Sequence, residues 1–277
     1  MNSWETVTWS QAGIATMMLF RNKITNQHLL FDCGSCLDPK KYSKANNVFI
    51  THAHLDHCGA IFSHARSRWF TDPATYYVPK ESLEDINKAK KAMEDADGSE
   101  LNMNIIGVEP GSTFFIGKGL YMTCVKTDHR VPSVGYLIYR EQKGLKKEYQ
   151  GLSKEEKSTL GRSGINLTET VKKYEIAYSG DTLVSGIDPL MLTADICVLE
   201  CTFISQEDKE LATKTKHVFL DDLVAFVNNG SVRKDTQLIL IHFSARYSAE
   251  YITKKVLDVS WPFEKKPIVE LAAFSDC

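Results

Sequence analysis

The sequence has no long apolar run. No stretch of its 277 residues approaches the roughly 18 consecutive apolar positions that a membrane-spanning helix needs, so no membrane association is expected. Met1–Glu5 shows no basic stretch leading into an apolar one, as a secretory leader would. That predicts an intracellular chain, cytoplasmic or nuclear and not secreted. An excess of either charge is also missing, with 33 Lys and Arg against 35 Asp and Glu. No global basic field exists to hold nucleic acid, and such a partner would need a local patch. A disulfide framework is absent as well: Cys33, Cys36, Cys58, Cys124, Cys197, Cys201 and Cys277 are odd in number and scattered. In a reducing compartment the Asn-x-Ser/Thr triplets at Asn166 and Asn229 are chance occurrences. No linker, biased tract or internal repeat divides the chain.

What is present is a series of strand-length apolar runs, each ending in polar chemistry. Leu29–Phe31 runs into Asp32, Val48–Ile50 into Thr51 and His52, and Tyr121–Val125 leads to Asp128 and His129. Tyr174–Tyr178 leads to Asp181, Ile196–Leu199 to Glu200, and Leu238–Ile241 to His242. Such runs read as buried strands. Helical patterns fall between them, at Glu81–Ala96, Val218–Val227 and Ala249–Val259. The alternation predicts one α/β domain over residues 1–277 with more than one sheet. Residues 140–173 stand apart as an irregular excursion from the core, carrying nine Lys and Arg against five Glu. Its positive charge marks it as a candidate phosphate-facing surface.

The strongest signal is Thr51-His52-Ala53-His54-Leu55-Asp56-His57-Cys58-Gly59. Three imidazoles and a carboxylate fall within six positions directly after a strand, with a helix expected to begin near Gly59. Alternate residues of an extended segment share a face, so His52 and His54 point the same way. Imidazole with carboxylate suits zinc best, with manganese or iron as alternatives. His129, Asp181 and His242 also follow apolar runs. One fold that brought these strand ends to a common edge would supply seven donors for two metals.

The remaining candidates read as weaker. Cys33-Gly34-Ser35-Cys36 is a C-x-x-C, but no second pair completes a four-cysteine metal site. His28 falls in an expected turn and His64 on an expected helix surface. Arg246 is placed either to contact a phosphate beside His242 or to hold a surface acid.

The His-x-His-x-Asp-His pattern at 52–57 resembles the signature of the metallo-β-lactamase superfamily. That resemblance implies an αββα sandwich, two mixed sheets flanked by helices. Three further segments resemble the ribonuclease Z family, the tRNA 3′-processing endonucleases: Ser179-Gly180-Asp181-Thr182, Glu200-Cys201-Thr202-Phe203 and His242-Phe243-Ser244-Ala245-Arg246-Tyr247. Leu145–Leu152 resembles its short, nuclear-type form.

The resemblance implies a zinc-dependent endoribonuclease that removes the 3′ trailer from precursor tRNA, commonly as a homodimer. It implies that His52, His54 and His129 hold one metal ion, and Asp56, His57 and His242 the other, with Asp181 bridging. Asp56 would act as base for the attacking water, and Glu200 with His217 as an acid pair for the leaving oxygen. The pattern departs from the family in two places: Leu199 precedes Glu200, and Val218-Phe219 follow His217. The family also grips tRNA with a protruding arm, which makes Lys146, Lys147, Lys154 and Lys157, together with Arg246, the candidate substrate contacts. The metal site alone leaves two other readings open: a phosphodiesterase for small or cyclic nucleotides, and a persulfide dioxygenase-like oxidoreductase of the same fold.

Overall fold

Alternation of side chains along each apolar run decides the layering. Leu29 and Phe31 enter the central core while Leu30 faces the opposite side. Ile239 and Ile241 likewise point inward, and Leu238 and Leu240 outward. Runs that are apolar on both faces belong to sheets covered on both faces. In the computed structural model, which describes residues 3–34 and 39–271, two such sheets pack face to face.

The first sheet has the order β1 (Trp4–Gln11), β2 (Ala15–Asn22), β3 (His28–Phe31), β4 (Asn47–Phe49), β5 (Ala74–Pro79), β6 (Met103–Val108). It is antiparallel from β1 to β3 and parallel from β3 to β6. The second contains β7 (Thr113–Gly117), β8 (Leu120–Lys126), β9 (Val134–Leu145), β10 (Thr168–Tyr178), β11 (Ile196–Glu200), β12 (Gln237–Ile241) and β13 (Ile268–Val269). It repeats the scheme, antiparallel from β7 to β10 and parallel from β10 to β13.

Between the sheets lies an aromatic core. Phe31 stacks on Tyr178 at 5.0 Å and lies 4.9 Å from Phe49, which meets Tyr136 at 5.4 Å. The parallel connections carry the helices outside, as such crossovers must. Tyr42 of α1 (Pro39–Tyr42), then, beyond α2 (Leu55–Cys58), Ile61 and Ala65 of α3 (Ile61–Ser67) and Ile86 of α4 (Leu83–Asp97) cover the first sheet. Further along come α5 (Lys154–Arg162) and α6 (Lys209–Thr215). Leu220, Leu223 and Val227 of α7 (Leu220–Asn229) and Ile252 and Val256 of α8 (Ala249–Asp258) cover the second sheet. The result is the expected two mixed sheets flanked by helices.

Three expectations need correction. The stretch at 140–173 is not irregular. Strand β9 leaves β8 after Tyr139 but stays paired with β10 from Arg140–Lys173 to Leu145–Thr168, a two-stranded ribbon that outruns the sheet. Helix α5 closes it, started by a reciprocal Ser153–Glu156 capping box. His28 opens β3 instead of sitting in a turn. His64 is fully buried, between Tyr42 and Tyr76, and not on a helix surface.

Candidate active site

Six strands end at one edge of the sandwich, and their C-terminal ends supply the site. β3 leads to Asp32, β4 to Thr51–His54, β8 to Asp128 and His129, β10 to Asp181, β11 to Glu200, and β12 to His242. Asp56 and His57 follow on α2, which starts at Leu55, earlier than the helix expected near Gly59. Two non-glycine residues here adopt left-handed backbone, Asp32 at φ 52° and His242 at φ 64°. This conformation is costly for residues with a Cβ and persists where the surroundings impose it. Gly180 takes φ 60° beside Thr51, and a Cβ there would lie 2.5 Å from the Thr51 Cβ. Only glycine lets β10 turn Asp181 into the cluster at this spot.

The seven predicted donors converge. Ligand atoms of His52, His54, His129 and Asp181 lie within 4.8 Å of one another, and so do those of Asp56, His57 and His242. Asp181 Oδ2 is 3.7 Å from His52 Nε2 and 3.3 Å from His57 Nε2, and Oδ1 is 3.5 Å from His242 Nε2. This carboxylate therefore stands between the two groups. A third grouping adds His217 to Asp181 and His242.

Hydrogen bonds on the far side of each ring set its orientation. His57 Nδ1 meets Asp32 Oδ2 at 2.8 Å, His52 Nδ1 meets Thr51 Oγ1 at 3.0 Å, and His242 Nδ1 meets Thr202 Oγ1 at 2.9 Å. His129 Nδ1 donates to the Lys216 carbonyl at 3.1 Å. Each arrangement leaves Nε2 facing the cluster, whereas His54 presents Nδ1.

Asp32, Thr51 and Thr202 were not among the residues singled out for function. Asp32 is fully buried and accepts from the Thr51 N–H and hydroxyl and from the Tyr178 hydroxyl, besides holding His57. Its signal in the sequence is slight: an acid after an apolar run, two residues before a glycine.

The donor set fits a metal pair. Burial, with His57 nearby, keeps His52 well below the ordinary imidazole pKa, and burial lowers His54 and His129, which favours the neutral form that metal binding uses. Burial opposes charge on His57, yet Asp181 and Asp32 outweigh it and push it up. Two buried carboxylates there call for a cation. Asp181 Oδ1 is buried without any hydrogen-bond donor, an orphan that a coordinated ion would satisfy. Asp56 is held at about 2, because His242 and His57 outweigh the opposing effect of burial.

Glu200 and His217 meet beside this cluster. Glu200 is buried, and its Oε1 lies 3.0 Å from His217 Nδ1. The same carboxylate accepts from the Thr182 and Thr202 N–H groups and from the Thr202 hydroxyl. Burial works against charge on His217, but Glu200 and Asp181 prevail and raise it to about 9.

The sandwich, the converging donors and the carboxylate–imidazole pair direct the comparison with known proteins. The family description "Beta-lactamase superfamily domain" matches residues 29–243. The curated protein tRNase Z TRZ1 of Arabidopsis thaliana is 32% identical over 243 residues, 85% of this chain and 85% of that one. The chain belongs to the beta-lactamase superfamily and, within it, to the ribonuclease Z (tRNase Z) family. A second Arabidopsis relative, tRNase Z TRZ2, chloroplastic, is 30% identical over 246 residues, 86% of this chain and 68% of its own length. Among solved structures, human tRNase Z, short form, superposes with a TM-score of 0.60 at 17% identity, covering 96% of this chain and 95% of its own. The metallo-beta-lactamase fold protein YhfI from Bacillus subtilis gives 0.64 at 17%, covering 97% of each. At such identities these two structures speak to the fold alone.

The candidate contacts for a ribonuclease Z substrate lie away from the cluster. Lys146 and Lys147 sit at the end of the ribbon, and Lys154 and Lys157 on the first turn of α5, all exposed or partly so. Arg246 pairs with Asp208 at 2.5 Å and lies over the Phe203 ring. Cys33 is buried, which raises its thiol pKa and disfavours a redox thiolate. Its C-x-x-C partner Cys36 lies outside the described residues, as does Cys277. No helix among the described residues is long and apolar enough to cross a membrane.

Proposed function

We propose that this member of the ribonuclease Z family is a metal-dependent endoribonuclease that removes the 3′ trailer from precursor tRNA. The observation that carries this reading is the Glu200–His217 pair set against a seven-donor cluster. The donors suit two zinc ions, or manganese or iron. His52, His54 and His129 would hold one ion and Asp56, His57 and His242 the other, with Asp181 shared. When bound, such ions neutralise phosphoryl charge and make hydroxide available near neutral pH.

The protein's own groups handle the protons. Asp56, held ionised, takes the proton of the attacking water. His217, protonated near neutrality and fixed at Nδ1 by Glu200, donates from Nε2 to the leaving 3′ oxygen. The products are a tRNA with a free 3′-hydroxyl and a trailer with a 5′-phosphate. The acid pair favours this reading over oxidoreductase chemistry, which has no alkoxide to protonate.

The arm lysines supply the local positive patch for tRNA, and Arg246, paired with Asp208, is a further candidate contact. The homodimer implied by the family resemblance is part of the proposal, and sedimentation checks it. A cytoplasmic or nuclear site of action is proposed as well, and organelle fractionation checks it. Named relatives include a nuclear enzyme of Triticum aestivum and a chloroplastic one of Arabidopsis.

Incubating metal-loaded protein with a 3′-extended tRNA transcript and mapping the cut tests the activity. Cleavage at the trailer junction supports it, whereas hydrolysis confined to small phosphodiesters replaces it with the phosphodiesterase reading. Elemental analysis of Asp181→Ala tests the dinuclear site: both ions should be lost together, and retention of one at full occupancy contradicts the sharing of Asp181.

A further inference from the structure

We propose that a pocket on the His54 flank of the cluster receives the base of the first trailer nucleotide. The inference rests on the trailer-removal reading and adds a specificity site to it. The pocket has a volume of about 430 Å³ and lies between α2, α4 and the loop that follows His129. It is lined by His54, which also belongs to the donor cluster, so the two sites adjoin at one residue. Leu55, Phe62, Ile86 and Pro132 give it apolar walls. Leu55 is the telling member. It stands between the donors His54 and Asp56, yet is 79% exposed and packs in none of the cores. An apolar side chain held open beside a catalytic centre suits the face of a planar ring.

The polar groups at the rim choose a base over a phosphate. Glu81 and Asp85 face the pocket. Asp85 pairs with Lys88 along the exposed helix surface, while Glu81 has no ion pair among the described residues. Carboxylates repel the sugar–phosphate backbone and accept the exocyclic amino protons of adenine, cytosine or guanine. Ser82 supports the same conclusion. It is 9% exposed and lines the pocket, and although it precedes α4 its hydroxyl makes no capping bond. Ser82 lies in the turn Lys80–Ser82 that runs into α4, and its hydroxyl, not engaged in capping, can turn to a ligand.

The side of the cut follows from the acid. His217 packs against His129 at 5.1 Å, and His129 against His54 at 5.2 Å on its other side. The leaving 3′ oxygen belongs to the tRNA and lies at His217, so the His54 flank is left for the trailer. Single-stranded bases splayed from their stack are the usual objects of such recognition.

The test uses the full chain and a 3′-extended tRNA carrying 2-aminopurine at the first trailer position. Fluorescence anisotropy of a label elsewhere on the tRNA reports binding, and 2-aminopurine emission reports the base. Saturating protein should change the emission, and Ala89→Trp, which fills the pocket, should abolish that change while anisotropy still reports binding. In cleavage assays an abasic first trailer nucleotide should lower kcat/KM on the order of tenfold. Glu81→Gln should narrow the preference for amino-bearing bases over uracil in the first trailer position. Unaltered emission with tRNA bound overturns the base site and leaves the trailer-removal reading intact. Absence of tRNA binding overturns both. A changed sedimentation coefficient of Ala89→Trp with trailer preference retained shows that a second copy of the chain covers the pocket, and also overturns the proposal.

Discussion

The carbonyl of Lys216 accepts the Nδ1 proton of His129, while the Lys216 ammonium pairs with Asp128 at 2.7 Å. Lys216 ends α6 in left-handed backbone at φ 57° and immediately precedes His217. One residue thus ties the loop after β8 that carries His129 to the loop that carries His217. Lys216→Met keeps the carbonyl but removes the Asp128 pair that helps to position it, so it should weaken metal binding by at most about tenfold, the scale of effects from groups behind a ligand, and Lys216→Arg should restore most of it. Competition with a chelator measures this, and equal chelator resistance in Lys216→Met and the parent chain would refute the link.

Reversing Lys146, Lys147, Lys154 and Lys157 to Glu should raise KM for tRNA on the order of tenfold. It should also flatten the salt dependence, each lost phosphate contact removing about 0.7–0.9 from the slope of log K against log salt. Hydrolysis of bis-p-nitrophenyl phosphate should be spared, since the arm is remote from the cluster. Equal losses on both substrates would make the ribbon a folding element instead.

Glu200 and His217 should behave as one unit. A ribose 3′ oxygen leaves poorly without a proton, so His217→Ala should slow RNA cleavage about 10²–10⁴-fold. A nitrophenolate leaves unaided, so the nitrophenyl ester should be hydrolysed nearly as before, with metal content retained. Adding Glu200→Ala should cost little more, because residues that act together are not additive. Loss of metal in His217→Ala would instead assign His217 to the grouping it forms with Asp181 and His242.

Stability should fall in mild acid through His64. Its Nδ1 lies 2.6 Å from the Tyr76 hydroxyl, and burial, aided by Arg68, lowers its pKa to about 4. The unfolded chain takes up this proton near pH 6.5 and the folded chain only near 4. The stabilisation from neutral His64 is therefore complete above 6.5 and is lost as pH falls from there to 4, up to about 3 kcal/mol. Urea denaturation at pH 7 and 4.5 should show a smaller difference for His64→Gln than for the parent chain; parallel pH slopes would exclude the effect.

The sequence displays the candidate donors because chemistry is concentrated where apolar runs stop. Strands β11 and β12 are apolar on both faces, so Glu200 and His242 stand out at their ends. Asp32 escaped notice because its function depends on Thr51, His57 and Tyr178 closing around it, contacts that no local pattern encodes. His64 shows the same limit: Ser63, Arg66 and Ser67 stand close to it in the sequence, and only the packing of Tyr42 and Tyr76 shows that it is enclosed. The arm looked irregular because its exposed strand pairs carry charges instead of alternating apolar residues. What holds it regular is the ladder between β9 and β10.

The spread of the donors along the chain has a bearing on when activity can arise. His52 follows the fourth strand and His242 the twelfth, so no contiguous fragment shorter than most of the protein contains a complete centre. Ion affinity is then inseparable from completing the second sheet. During synthesis the N-terminal sheet can form while the nascent chain still lacks Asp181 and His242. A ribosome-bound nuclease of this design stays inert until its last ligand has left the exit tunnel.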